Sequence, residues 1–401
     1  MGPVPSSFAW VDFSEEDRQR MNAVVQLFQE SETVDELGLG VVRDVFANLL
    51  FPGTSTIQTR ARYFFFIPWI YRRQEERRVS VAEIAKRARD DEIKLIDVLL
   101  ENEDHAGVIG AQKRAALKGL PSAIYWAGLG QYGIRRFVGS QDEYHRSFGS
   151  RVGIAERDGD DEENSSGNHS TWDPSLPDPP DEFPRRASLA LTREEAEYFV
   201  DRVDAIQPRC LLAVLMSRMG ASAEVPLPWL HPGVSSLGTT HRAQLEHARN
   251  FSETFYGASL LYNLMLGEAQ NNEEAAGRHR ESLNEWSKEM TARQAAHRVW
   301  NRTEFWMIAG TGNVDGRMRA FIDDWLKLVI DGHELAVHES TGARDLIKAR
   351  EWEIKRNRAR LHNQSALERW NGRSGAFQAT YRWSRVRQIV GDVRRGLGKT
   401  P

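Results

Sequence analysis

The chain has 401 residues, 40% hydrophobic and 27% charged, with a formal net charge of −4. That composition can fill a core and excludes disorder of the whole chain, and the length exceeds what one core usually serves, which predicts two lobes of about 100 to 200 residues each. A single cysteine excludes an internal disulfide, no apolar run approaches the roughly 20 residues of a membrane span, and the N-terminus lacks a signal-peptide pattern, so the expected compartment is the cytoplasm.

Taken in chain order, the elements read as helices. Ser14 ahead of Glu15-Glu16-Asp17 starts one that carries Met21, Val24, Val25 and Phe28 on one face. Asp35 caps a second, with Val41, Val42, Val45, Phe46, Leu49 and Leu50 at helical spacing before Pro52-Gly53 stops it. A third begins near Thr54 or Ser55 and runs through Tyr63-Phe64-Phe65-Phe66-Ile67 to Pro68-Trp69, where a short buried strand fits the pattern as well. Ser80-Val81-Ala82-Glu83 is a capping box that opens a helix ending near Asn102, and Pro121 starts another. From 149 to 186 the composition turns to Asp, Glu, Ser, Gly and Pro, a segment that buries little and reads as a flexible linker or insertion. Thr192-Arg193-Glu194-Glu195 is again a capping box, followed by the apolar run after Cys210, whose thiol reads as a small buried hydrophobe. A long helix over 240 to 268 follows, then helices over 273 to 288, 292 to 308, 315 to 330 and 343 to 362. Strand alternation is almost absent. The expected fold is mainly α with few or no strands: an N-terminal helical domain (1–150), an acidic Pro/Gly-rich linker (151–186) and a C-terminal helical domain (187–401).

Charge is unevenly distributed. Residues 156 to 182 carry ten acids and one base, whereas residues 341 to 401 carry fifteen bases and five acids. A basic C-terminal end beside an acidic insertion predicts a charged partner, nucleic acid first. Near the N-terminus Arg60, Arg62, Arg72, Arg73, Arg77 and Arg78 interleave with Tyr63, Trp69 and Tyr71; near the other end Lys355, Arg356, Arg358 and Arg360 precede Arg382, Trp383, Arg385 and Arg387. Lysine and arginine hold phosphates, and aromatic rings and guanidinium planes stack on unpaired bases. These residues are the expected nucleic-acid contacts. Helix faces solvated or paired to local Glu are the competing reading.

Catalytic motifs fare worse. Gly128-Leu129-Gly130-Gln131-Tyr132-Gly133 matches a dinucleotide fingerprint in letters, but helix-like sequence precedes it where a strand is required. His333 and His338 are five apart, which turns two helical rings about 140° away from each other and spoils a zinc pair. His231, His241 and His247 are also poorly spaced for a metal, and Glu92-Ile93-Lys94 and Glu353-Ile354-Lys355 lack the neighbouring acid that a nuclease cation needs. No cofactor, metal ligand or catalytic residue is expected.

Phe8-Ala9-Trp10-Val11-Asp12-Phe13-Ser14, Asp17-Arg18, Met21, Phe51-Pro52-Gly53-Thr54-Ser55, Tyr63-Phe64-Phe65-Phe66-Ile67-Pro68-Trp69-Ile70-Tyr71 and Pro121-Ser122-Ala123-Ile124-Tyr125-Trp126 carry a resemblance. The chain resembles an uncharacterised bacterial domain-of-unknown-function family of similar length, which assigns no catalytic residues. Members of that family often sit beside helicase-like and phospholipase-D-like genes in anti-phage defence regions. The resemblance implies a non-catalytic, DNA-associated subunit of a multi-protein defence system, with such proteins as partners and no membrane. A metal-dependent nuclease and a protein-only scaffold are the alternatives.

Overall fold

The computed structural model describes residues 35–101, 106–148, 171–217 and 224–399. The helix expected after Ser14 and the most acidic stretch of the expected linker lie outside the described residues. Among the described residues the protein is helical and has no sheet; Arg135 and Trp172 form an isolated antiparallel bridge. The helices are α1 (Gly40–Leu50), α2 (Tyr63–Glu76), α3 (Val81–Glu101), α4 (Pro121–Gln131), α5 (Gln141–Arg146), α6 (Arg193–Ile206), α7 (Leu211–Met216), α8 (Thr239–Ala269), α9 (Glu273–Ala292), α10 (Gln294–Arg298), α11 (Arg302–Ala309), α12 (Gly316–Leu326), α13 (Thr341–Lys355), α14 (Gln364–Leu367) and α15 (Trp383–Gly396).

Local chemistry explains most starts. Asp35 takes the first free amides of α1, from Leu39 and Gly40, each at 2.7 Å. Thr192 and Glu195 close a reciprocal capping box on α6, and Cys210 caps α7 with its thiol sulfur at 3.4 Å from the Ala213 amide. The aromatic run is helix α2, not strand. Every residue from Tyr63 to Tyr71 is buried.

Helix α8 is the spine. It pairs along its length with α9, and two glycines set the approach: a Cβ at Gly257 would stand 2.4 Å from the Trp286 ring, and one at Gly267 would stand 2.9 Å from the Ala276 amide nitrogen. Only a residue with no side chain lets the helices close to that distance.

A contiguous apolar cluster runs from Leu37 to Val393 and takes in residues from both expected helical domains. Helix α15 lies against α6 and α7, and its Asp392 reaches Arg60, 332 residues away, at 2.9 Å. The Pro-rich stretch from 171 to 186 is laid on this core: Trp172 is 1% exposed, the Trp69 Nε1–H donates to the Pro177 carbonyl at 2.8 Å, and Phe183 stacks on Phe66. Its three apolar anchors, Trp172, Leu176 and Phe183, outweigh the prolines around them.

Two expected helices break. The 292–308 pattern divides into α10 and α11, where Asn301 caps the second by accepting from the Glu304 amide at 3.1 Å. The 343–362 pattern stops at Lys355, where Arg356 takes φ +49° and ψ −125°. That stop shapes the site.

Candidate nucleic-acid interface

The basic residues singled out in the sequence divide into interior and exposed. The backbone just before α2 is held by the Tyr125 hydroxyl, which accepts from the amides of Thr59 and Arg60 and donates to the Arg60 carbonyl at 2.9 Å. This turn sends Arg60 and Arg62 inward. Arg60 meets Asp392 at 2.9 Å and the Ala106 carbonyl at 2.8 Å; Arg62 meets Glu195 at 2.8 Å and the Ser188 carbonyl at 2.9 Å. Both are about one-twentieth exposed, 5% each. They join helices rather than face a phosphate.

Arg382 donates to Asn48 at 2.8 Å and to the Thr54 carbonyl at 2.6 Å, Trp383 is buried with its Nε1–H on the Val225 carbonyl, and Arg385 reaches the Thr56 carbonyl at 3.2 Å. Arg382 and Arg385 fasten the start of α15 to α1 and the loop after it, and Trp383 ties it to the segment before α8. Arg387 is exposed one turn further on. At the end of α2, Arg72 pairs with Asp178 at 3.2 Å, Arg73 is half-buried, and Arg77 and Arg78 are exposed.

The end of α13 combines both kinds. Glu351 is fully buried, and its carboxylate accepts from the Tyr262 hydroxyl at 2.5 Å and from the amides of Arg360 and Leu361 at 2.8 and 3.0 Å. Lys355 bridges Glu351 and Glu36, and Arg360 meets Glu36 at 2.6 Å. Burial works against the Glu36 carboxylate, yet Lys355, Arg360 and Ser374 together hold its carboxyl below the usual value. Lys355 and Arg360 are therefore structural. They and Glu351 clamp the turn from 356 to 361, which holds Arg356 in a conformation normally left to glycine, at a cost of roughly 1–3 kcal/mol.

Outside this clamp lies an aromatic-basic surface. Trp352 is 39% exposed, and its ring stands 5.0 Å from His362 at 45°. Lys348 is one helical turn before Trp352 and on its face of α13, while Arg356 is the first residue past the helix, where φ +49° takes it out of the helical register. Both are exposed, as is Arg358, and none of the three has an ion pair among the described residues. The sequence reading included Arg356 and Arg358 and missed Trp352 and His362. The spacing of Lys348, Trp352 and Arg356 was a usable signal, because it places a tryptophan opposite the buried Ile347 and Arg350 face of the same helix.

Elsewhere the chemistry-like motifs have structural roles. Gly128 and Gly130 are inside α4, and a Cβ on Gly128 would stand 2.5 Å from the Gly53 carbonyl oxygen. His333 has φ +51° and lies outside any helix, its Nδ1 at 3.0 Å from the Gln294 amide nitrogen. His247 accepts from the Trp300 indole at 2.8 Å, and His231 accepts from the Gly233 amide at 3.0 Å. Glu353 pairs with Arg350 at 2.7 Å. Glu92 is interior, with Ser122 donating its hydroxyl at 2.7 Å and its amide at 2.8 Å; burial pushes its carboxyl up to about 7 despite those bonds. Among the described residues no group of three or more His, Cys, Asp or Glu is arranged to hold a metal ion. No described helix is long and apolar enough to cross a membrane.

Fold and site define a helical protein with a basic-aromatic turn on its surface, while Arg60, Arg62, Lys355, Arg360 and Arg382 are tied to other parts of the fold. The chain belongs to a family described as a Family of unknown function (DUF6361), whose model matches residues 5–396. No match exists among the curated proteins or the solved structures.

Proposed function

We propose that the protein is a non-catalytic, DNA-associated subunit of a multi-protein bacterial defence system, acting in the cytoplasm beside a helicase-like or phospholipase-D-like partner. The observation that carries the DNA part is the turn at the end of α13: an exposed Trp352 beside His362, flanked by Lys348, Arg356 and Arg358, all free of carboxylate partners among the described residues. Phosphate affinity needs cations that are not already neutralised, and base contact needs an open ring face. The defence setting rests on the family resemblance alone.

The test is a titration with DNA at two salt concentrations. Phosphate contacts predict affinity that falls steeply between about 50 and 200 mM salt. Absence of binding at about 50 mM salt sinks the reading. Co-purification of a helicase-like or phospholipase-D-like protein encoded nearby tests the assembly independently.

A further inference from the structure

Resting on that reading, we infer that the DNA engaged at the α13 turn is single-stranded, with one unpaired base stacked on Trp352 and the strand backbone held by Lys348 on one side and Arg356 and Arg358 on the other. Three features of the turn point this way.

First, the indole presents an open face. A ring 39% exposed on a helix has left water-accessible apolar area that a flat partner can cover. In duplex DNA the base faces are already stacked on each other, so a surface tryptophan meets only edges and backbone. An unpaired base offers its face, and every base has one, which makes the contact tolerant of sequence. Second, the neighbouring His362 ring is tilted by 45° rather than parallel. The two rings touch at an angle rather than as a closed stack, and the exposed part of the Trp352 ring is the landing site. Third, the cations are ordered along the helix. Lys348 lies about 6 Å along the axis before Trp352, and Arg356 and Arg358 follow in the turn just past the helix end, so a strand running along α13 toward that turn meets positive charge before and after the stacked base. Arg356 is held there by its strained backbone and by the Glu351 clamp, which lowers the ordering cost of binding.

The contacts named are to phosphates and to a base face, neither of which identifies a base, so the surface distinguishes strand from duplex and not one sequence from another. A single stacked base and two or three phosphates make a modest contact. It suits a subunit that holds a strand exposed by a partner.

The experiment is fluorescence anisotropy with the full chain and four probes: a labelled oligothymidylate of about 12 nucleotides, within the 4 to 16 that one such surface usually covers, a matched blunt duplex, an oligouridylate and inorganic polyphosphate. The expected result is tighter binding of oligothymidylate than of the other three. Trp352→Ala weakens oligothymidylate by about 5- to 150-fold, the loss of one stacked base, and Trp352→Phe recovers most of it, while polyphosphate binding by both variants is unchanged. Equal oligothymidylate affinity for Trp352→Ala and the unaltered protein, or tighter binding of the duplex, overturns the inference and leaves DNA association standing. Tighter binding of oligouridylate overturns the assignment to DNA. No binding of any probe means that the underlying reading has failed as well. If Trp352→Ala melts early, Arg356→Gln with Arg358→Gln carries the test: oligothymidylate must lose more affinity than the duplex, and an equal loss overturns the inference.

Discussion

Asp392→Ala is the sharpest test of the division between interior and surface cations. The Asp392 side chain is 1% exposed and that of Arg60 7%. Its carboxylate accepts from Arg60 Nε at 2.9 Å, from the Ala61 amide at 2.9 Å and from Arg395 at 2.5 Å. Removing it leaves the Arg60 guanidinium buried without that carboxylate and strips the Ala61 amide of its acceptor. Breaking a buried pair from one side costs about 3–5 kcal/mol. Replacing both partners with apolar residues of similar size, Arg60→Met with Asp392→Leu, costs much less, because no charge is then stranded. Urea unfolding followed by helical circular dichroism measures these chains together with the single variants Arg60→Met and Asp392→Leu, and the four-membered cycle gives a coupling of about 0.5–3 kcal/mol. Under folding conditions the double variant binds DNA as tightly as the unaltered protein. If Asp392→Ala costs under about 1 kcal/mol, as an exposed pair would, Arg60 is not interior and the reasoning that removed it from the DNA surface is wrong.

Other expectations follow from the same geometry. Glu92 has its carboxyl raised from 4.5 to about 7 by burial, so the folded state binds its proton more tightly than the unfolded one. Its contribution is whole below pH 4.5 and is lost as pH rises to about 7, a change of roughly 3 kcal/mol at 1.36 kcal/mol per pH unit. Glu92→Gln flattens that part of the stability profile, read as the difference between the two chains' unfolding free energies across pH; parallel profiles would contradict it. The Glu36 carboxyl is shifted the other way, so its contribution is present above the unfolded value of 4.5 and lost as pH falls through its lower folded value. Glu36→Gln removes that acid-side loss, and an acid-side profile that matches the unaltered chain refutes the assignment. Glu351→Ala takes away one of the two carboxylates that Lys355 bridges and leaves the amides of Arg360 and Leu361 without their acceptor, at a cost of about 1–3 kcal/mol for each group left unsatisfied. Assayed where it remains folded, this variant binds oligothymidylate more weakly although Glu351 is wholly buried; unchanged affinity would show that the clamp does not position Arg356.

Much of the helical architecture was legible because helix ends are chosen by neighbouring residues. Asp35, Ser80, Pro121 and Thr192 each announce a start through chemistry confined to three or four positions. The stop at Lys355 was not legible, since no glycine or proline marks it. It depends on Glu351 capturing the Arg360 and Leu361 amides with support from Tyr262, 89 residues earlier, and such contacts leave no trace in local composition. The direction of the arginines was hidden for the same reason. A count of positive residues ahead of α2 cannot reveal that Arg62 is matched by Glu195, 133 residues on, or Arg60 by Asp392. The stretch from 171 to 186 misled in the opposite sense, because its prolines dominate the average while Trp172, Leu176 and Phe183 decide where it lies. Trp352 was legible in principle: a helical projection puts it between Lys348 and Arg356, away from the apolar side.

The salt dependence of oligothymidylate affinity, measured for the unaltered protein and for Arg356→Gln with Arg358→Gln, tests the central claim most directly. Each phosphate contact on a single strand contributes about 0.7 to the slope of log affinity against log salt. The account predicts that the double variant loses about 1.4 from that slope and binds more weakly at low salt. An unchanged slope with unchanged affinity would contradict it, because the cations that stand free at the α13 turn would then not be the ones that meet DNA.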